Sequence, residues 1–322
     1  YIDELGGWTL TGTKGALRLN TIESLKDDLC GYLGFDIYFT YQNNTILMRK
    51  GSSSLEIPKP PKKVRFNEIF FNDGFINYGL DADRQARGFA LNEPRHVLLV
   101  GESGSGKSVL LNNVINQFYK YMETDLLSDL YFIDLKGGVE FGFYENRPNT
   151  SLACNVNDAC AVVSHVHDVM EKRLQEMRVK NRKLVANGDN PELLYSGGAI
   201  YLIIDEYATI KTAPKTKDNK DAINKLQSEL VLLAQKGRAA KVMLCVGLQK
   251  ATTDYMDSGF KGNMHERILM KSSNTLAFSE VFGTSFEDYA FKNAQSLGKG
   301  EMLYLPNEGS TVPLYLKGAF DG

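Results

Sequence analysis

The chain has 322 residues, 43% of them hydrophobic and 24% charged, with 37 Lys and Arg against 39 Asp and Glu for a formal net charge of −2. This describes an ordinary globular protein with a sizeable core, large enough for one big domain and a small one. No apolar run approaches the roughly 18 residues of a membrane span, and no basic start with a small-residue cleavage site marks a secretory leader. Cys30, Cys154, Cys160 and Cys245 are too few and too irregularly spaced for a disulfide framework, so a reducing, cytoplasmic compartment is expected. The chain opens at Tyr1 rather than Met, which reads as a fragment or a processed product.

Residues 1–57 read as a small α+β unit: a helix near Thr21 to Leu33, then strands at Phe35 to Tyr41 and Thr45 to Arg49 joined by Asn43-Asn44. Residues 58–74 read as a linker. Its Pro58, Pro60 and Pro61 remove backbone donors and restrict their predecessors, so neither a helix nor an interior strand is sustained, and Lys59, Lys62, Lys63 and Arg65 make it basic. From residue 75 to 322 the pattern alternates strand and helix, as in a parallel sheet covered by helices. Strands are expected at His96 to Val100, Asp129 to Asp134, Ala199 to Ile204 and Lys241 to Gly247, with helices near Lys107 to Met122, Asn157 to Asn187 and Asp221 to Gly237. The run Tyr201-Leu202-Ile203-Ile204 is continuously apolar, as strands buried on both faces are.

The first of those strands leads into Gly101-Glu102-Ser103-Gly104-Ser105-Gly106-Lys107-Ser108, followed by Val109 and a helical pattern. This is a phosphate-binding loop. Glycines let successive backbone N–H groups converge on phosphate oxygens, Lys107 reaches the terminal phosphates, Ser108 ligates Mg²⁺, and the helix aims its N-terminal dipole at the same anions. The strand Tyr201 to Ile204 ends in Asp205-Glu206, a Walker B pattern: Asp205 would hold Mg²⁺ through water, and Glu206 would orient and deprotonate the attacking water. ATP with Mg²⁺ is therefore the expected cofactor pair, and adjacent Asp and Glu favour hydrolysis over a GTPase-like switch.

Gln249 ends the following strand and reads either as a sensor of the terminal phosphate or as a strand-end polar residue. Asp134 and Lys136 close a strand in the same layer, as supporting groups or as a structural turn. Arg238, in Lys236-Gly237-Arg238-Ala239-Ala240, reads either as an arginine finger offered to a neighbouring subunit's ATP or as a cation favouring its helix end. His165 and His167 lie at i and i+2 on a helix, on different faces, so with Cys160 they do not make a zinc site. His96, ahead of a buried strand, reads as structural. Two further basic clusters, Lys172 to Lys183 on a helix and Lys211 to Lys220 in a loop, read as solvated surface or as DNA contacts.

Together these motifs make the chain resemble the motor domain of FtsK/SpoIIIE-type DNA translocases from roughly Phe75 to Phe320. The resemblance rests on GESGSGKSVLLNNVI, FIDLKGGVEF, VMEKRLQEM, YLIIDEYA, LAQKGRAAKVMLCVGLQ and the ending GKGEMLYLP with VPLYLKGAF, in family order. It implies a RecA-like α/β P-loop core with a mainly parallel sheet, a homo-hexameric ring around DNA, ATP sites at subunit interfaces, and Arg238 as the trans-acting finger with Arg267 second. Candidate DNA contacts are the Lys211 to Lys220 loop and the Lys250 to Lys261 segment.

The departures also inform. Lys250-Ala251 stands where the family has Arg-Pro, Leu135 where it has Pro, and no winged-helix module follows Phe320. A single motor with a short, divergent amino-terminal unit is most similar to the FtsK-like coupling ATPases of Gram-positive conjugative elements. That likeness implies a cytoplasmic domain of a membrane-anchored parent, with a membrane channel or relaxase as partner. A type VII-like protein-secretion ATPase, a chromosome-segregation translocase of double-stranded DNA and a degenerate scaffold are the alternatives, and the strandedness of the DNA stays open.

Overall fold

The structure is a computed structural model that describes residues 8–10, 26–33, 37–42, 45–50, 59–71, 73–122, 124–217, 219–252, 255–256, 258–283, 294–306 and 313–320. The amino-terminal unit contains β1 (Trp8–Leu10), α1 (Lys26–Leu33), β2 (Ile37–Gln42) and β3 (Thr45–Lys50), with the strands in an antiparallel sheet ordered β1-β3-β2. The hairpin expected around Asn43-Asn44 is present as the β2–β3 pair. The first residues of the expected helix, 21–25, lie outside the described residues.

The remaining strands form one ten-stranded sheet. Its elements in chain order are β4 (Phe75–Leu80), β5 (Ala86–Ala90), β6 (Val97–Val100), α2 (Lys107–Tyr121), β7 (Leu127–Ile133), β8 (Thr150–Ala153), α3 (Val156–Ala186), β9 (Ala199–Ile204), α4 (Tyr207–Lys211), α5 (Lys220–Ala240), β10 (Val242–Leu248), α6 (Ser258–Gly262), β11 (Glu266–Met270), α7 (Ala277–Phe282), β12 (Glu301–Leu305) and β13 (Leu314–Lys317). The sheet order is β5-β4-β13-β12-β11-β6-β10-β9-β7-β8, parallel from β11 through β8 and antiparallel from β11 through β5. The expected parallel sheet is there, and the antiparallel extension of β12, β13, β4 and β5 adds strands that no periodicity announced.

Strand alternation sends side chains to the two faces in turn. Val97 and Leu99 pack with Leu110, Leu111, Val114 and Phe118 of α2, whereas Leu98, Val100, Ile200, Leu202 and Ile204 pack on the other face against α3 and α5. Every residue of β6, β9 and β10 is buried, which explains their unbroken apolar runs. The long helix α3 starts where the Asn155 side chain accepts the Asp158 N–H at 3.0 Å as an N-cap.

The stretch after the prolines does not hang clear of the sheet. Val64 and Ile69 are buried together with Leu80 and Ala319, and the Phe320 N–H donates to the Val64 carbonyl at 3.0 Å. Residues 64–70, within the stretch expected as linker, therefore pack on the ten-stranded unit. No helix among the described residues is long and apolar enough to cross a membrane.

Candidate nucleotide site

Parallel strands place their carboxyl ends along one edge of the sheet, and the loops leaving β6, β9, β10 and β7 meet there. The loop from Gly101 to Lys107 is fastened on several sides. The Gly101 N–H donates to the Leu248 carbonyl at 3.0 Å, the Glu102 N–H to the Lys271 carbonyl at 3.1 Å, and the Gly300 N–H to the Ser105 carbonyl at 2.8 Å. The Glu102 carboxylate accepts the Ser273 N–H at 2.7 Å, so Glu102 anchors the loop as well as belonging to its motif. Ser103 and Gly104 are left exposed at the tip. Gly106 has a φ of +102°, and a Cβ there would approach the Gly300 nitrogen at 3.1 Å, so only glycine suits both demands. Helix α2 begins at Lys107, leaving its first-turn N–H groups and positive dipole end facing the loop. Ser108 and Val109 follow in that first turn, both partly buried.

The carboxylates arrive on β9. Asp205 is nearly buried between two lysines. The Lys107 ammonium donates to its backbone carbonyl at 2.8 Å and to Oδ1 at 3.2 Å, while the Lys136 ammonium donates to Oδ2 at 2.6 Å. Burial alone would push the Asp205 carboxyl up, but Lys107 and Lys136 outweigh it and hold the group below its usual range. Glu206 goes the other way: burial dominates over the nearby Lys107 and raises its carboxyl above the usual range. Its Oε1 accepts the Gln249 N–H at 3.3 Å, whereas its buried Oε2 has no hydrogen-bond partner among the described residues. A buried carboxylate oxygen without a partner is costly unless something polar comes to it, and Glu206 stands just past the carboxyl end of β9. Close approach of β10 to this corner requires Gly247, since a Cβ there would lie 2.1 Å from the Asp205 carbonyl oxygen.

Each residue singled out by sequence can now be placed. Lys107, Ser108, Asp205 and Glu206 share one corner. Gln249 contributes its backbone N–H to Glu206 while its side chain is exposed. Asp134 shapes a turn, accepting the N–H groups of Lys136, Glu140 and Phe141, and that turn delivers Lys136 to Asp205. Burial pulls the Lys136 ammonium down, yet Asp205 outweighs it and raises the group above its usual range.

Arg238 lies at the opposite edge of the sheet, near the end of α5 just before β10 starts. The seven residues of β10 put about 20 Å between the two edges, so Arg238 cannot reach its own chain's loop. Arg267 is turned inward, donating to the carbonyls of Met264, Val281 and Lys261 at 3.0, 3.3 and 3.1 Å. These bonds assign it to holding α6, α7 and β11 together.

The other candidates disperse. Arg173, within the basic run of α3, points in rather than out: it donates to the Gly198 and Ala240 carbonyls at 3.0 and 3.1 Å and lies over the Tyr195 ring. His165 shares a hydrogen bond with the Tyr131 hydroxyl at 3.1 Å, and His167 faces Glu229. His96 is fully buried, its Nδ1 accepting the Leu244 N–H at 2.9 Å. Burial, with smaller contributions from His265 and Arg238, lowers its pKa to about 3. Sequence reasoning named Lys136 beside Asp134 as a supporting group or a turn, and the structure shows both, but it missed the contact of Gly300, although GKGE stood in the quoted motifs. The role of Gly300 depends on pairings across the sheet, which no local spacing encodes.

Known proteins supply the rest. The model of the FtsK/SpoIIIE family matches residues 76–236, half of the chain. The DNA translocase FtsK 2 of Neisseria meningitidis serogroup A is 28% identical over 340 residues, covering 94% of this chain and 31% of its own length. The DNA translocase FtsK of Streptococcus agalactiae is 26% identical over 325 residues, covering 94% of this chain and 37% of its own. The chain thus spans about a third of the length of these relatives. Among solved structures, the pCW3 conjugation coupling protein TcpA with ATPγS superposes with a TM-score of 0.65 at 22% identity, covering 94% of this chain and 82% of that one. The Thermomonospora curvata type VII secretion ATPase EccC gives 0.56 at 19% identity, over 82% and 30%. Both share the fold. With the loop, the paired carboxylates and the family match in hand, the chain is a P-loop ATPase belonging to the FtsK/SpoIIIE family.

Proposed function

We propose that this chain is the motor of a DNA translocase, with ATP bound at the Gly101 to Ser108 loop and hydrolysis completed by a second copy. The observation that carries the reading is the separation of Lys107 and Glu206 at one sheet edge from Arg238 at the other. Such a motor unit has half a catalytic site at each end, so copies placed head to tail build whole sites between them. In a closed ring of this kind, which we propose is a homo-hexamer, Arg238 meets the neighbour's terminal phosphate.

The chemistry follows from the residues at hand. When phosphates fill the loop, Lys107 exchanges the Asp205 carbonyl for phosphate oxygens. Lys136 keeps Asp205 charged meanwhile. Ser108 and Asp205 offer a hydroxyl and a carboxylate, hard oxygen donors that fit Mg²⁺, which when bound neutralises charge between the β- and γ-phosphates. Glu206 is suited to a base: its unpartnered Oε2 can hold the attacking water, and its raised affinity for protons favours taking one from it. The Gln249 N–H fixes the other oxygen.

DNA as the moved substrate is supported by the curated relatives, which are DNA translocases matched along 94% of this chain. Two loops leave the same edge as the nucleotide site. One carries exposed Lys215 and Lys217, and the other starts at exposed Lys250, whereas Lys261 is held by the Glu280 carbonyl at 2.6 Å. Contacts of this kind grip backbone phosphates without reading bases, as a motor passing over every sequence needs. The coupling protein TcpA shares the fold across the chain, and we propose conjugative transfer through a membrane channel as the setting, with residues 1–57 as a separate docking unit. The decisive experiment is the ATPase rate with single-stranded, double-stranded and no DNA, alongside solution mass. Rates unchanged by either DNA in an assembled ring would overturn the proposal.

A further inference from the structure

Helix α3 is longer than the layer it belongs to. Its Arg173 donates to the carbonyl of Ala240, the last residue of α5, and its last buried side chain is Met177. The residues from Met177 to Ala186 therefore run on past α5 for about 15 Å, as a projection from the amino edge. The return strip braces it: the Asn181 side chain accepts the Glu192 N–H at 2.8 Å and donates to the Glu192 carbonyl at 2.9 Å, and the Lys180 ammonium meets the Glu192 carboxylate at 2.6 Å. Arg178, Arg182 and Lys183 are exposed along it, and no acid interrupts the sequence from Met177 to Gly188. Val179, Val185 and Leu193 are exposed among them, Leu193 by 83%. A surface of opposite character lies at the carboxyl edge, on the turn after β7. Its Phe141 and Tyr144 rings pack inward on Phe132, while Val139 and Phe143 stand out, 72% and 83% exposed. Glu140 and Glu145 flank them, and no cation interrupts the sequence from Gly137 to Asn146.

The direction of the projection decides what it can meet. Arg238 stands two residues before the end of α5 at the same edge, and in the head-to-tail arrangement proposed above it reaches a neighbour's terminal phosphate. Helix α3 packs beside α5, with the Lys236 ammonium on the Glu171 carboxylate, so the projection starts about 8–10 Å to the side of Arg238 and continues toward that neighbour. On the neighbour, Val139 follows Lys136 by three residues, a reach of about 10 Å at most from the lysine that holds Asp205. The spacings agree, and so do the charges. We infer that the projection of each copy docks on the β7 turn of the next, Arg178, Arg182 and Lys183 against Glu140 and Glu145, with Val185 and Leu193 against Val139 and Phe143. The inference rests on the head-to-tail reading and adds a contact outside the nucleotide corner. It also gives the neighbour a hold on that corner. The turn under the projection is the one that Asp134 ties down and that delivers Lys136 to Asp205, so an undocked edge leaves Lys136 without its outer support.

Charge reversal in the full chain separates this contact from the ring itself. With ATPγS and Mg²⁺, a chain carrying Arg178→Glu, Arg182→Glu and Lys183→Glu, and another carrying Glu140→Lys and Glu145→Lys, are each expected to self-associate about a hundredfold more weakly by sedimentation, since each sets like charges against one another. An equal mixture of the two should recover association, because alternating copies restore opposite charges at every junction. Phe143→Ser, which removes an exposed ring, should weaken association about tenfold with an unchanged unfolding midpoint. Variants that associate as the wild type does, or a mixture no better than its parts, would overturn the docking while leaving the ring. A wild-type chain that stays monomeric with ATPγS would overturn the head-to-tail reading on which the docking rests.

Discussion

The two edges of the central sheet use the same residue types for opposite ends. At the carboxyl edge, Lys107 and Lys136 converge on Asp205, and Glu206 keeps an oxygen without a partner among the described residues. These groups are placed for a ligand that brings further charge. At the amino edge, Arg173 spends its donors on the carbonyls of Gly198 and Ala240, and His96 gives its Nδ1 to the Leu244 N–H. There the polar groups close the ends of strands and helices that would otherwise bury unpaired carbonyls and amides. A cation in a family motif is thus no more catalytic than the edge that holds it, and Arg238, at the fold-holding edge, becomes catalytic only if another copy brings a nucleotide to it.

Substitutions can break this contrast or sharpen it. The largest effects belong to the carboxyl edge. Glu206→Gln is expected to lower hydrolysis about a thousandfold or more while ATPγS still binds, whereas Lys107→Ala loses both, as rate and calorimetric measurements would register. Next comes Arg238→Ala, expected to lower the assembled rate about a thousandfold, with activity recovered on mixing it with Lys107→Ala subunits. No recovery would return Arg238 to a purely structural role.

At the amino edge the expected loss is in stability rather than rate. Arg173→Met leaves the carbonyls of Gly198 and Ala240 without their donor and should cost about 2–4 kcal/mol in urea unfolding, with unchanged hydrolysis per folded molecule. The smallest effect concerns His96. Because its folded pKa is lowered to about 3, the unfolded chain binds more protons below about pH 6.5, so stability is complete above that value and falls as pH drops toward 3. Between about pH 7.5 and pH 5 this group should account for up to about 2 kcal/mol of lost stability, and His96→Gln should flatten that part of the profile in equilibrium unfolding.

Much of the catalytic edge was legible because its signals are local. The loop, the strand before it and the helix after it form one continuous stretch, and the apolar run ending in Asp205-Glu206 announces a buried strand with its carboxylates at the ligand edge. What escaped was set by pairing. Arg173 sits in a run of cations that reads as solvated surface, and only the meeting of α3 with the ends of β9 and α5 turns it inward. Arg267 resembles a finger in its motif, yet three carbonyls from its own neighbourhood claim it. The antiparallel strands β4 and β5 pair with each other, as do β12 and β13, but what brings them into the sheet is the pairing of β13 with β4 at Lys317 and Leu80, far apart along the chain.

That last point bears on how the protein is made. The loop at Ser105 gets its hydrogen bond from Gly300, and Gly318 in turn donates to the Gly300 carbonyl, roughly 200 residues downstream. At a synthesis rate of about 5–20 residues per second, the phosphate loop waits about 10–40 s for that support. During this interval the nascent chain carries the ATP motif without the strands that hold it in shape. The loop's full set of backbone anchors is thereby complete only once translation has delivered the far strands.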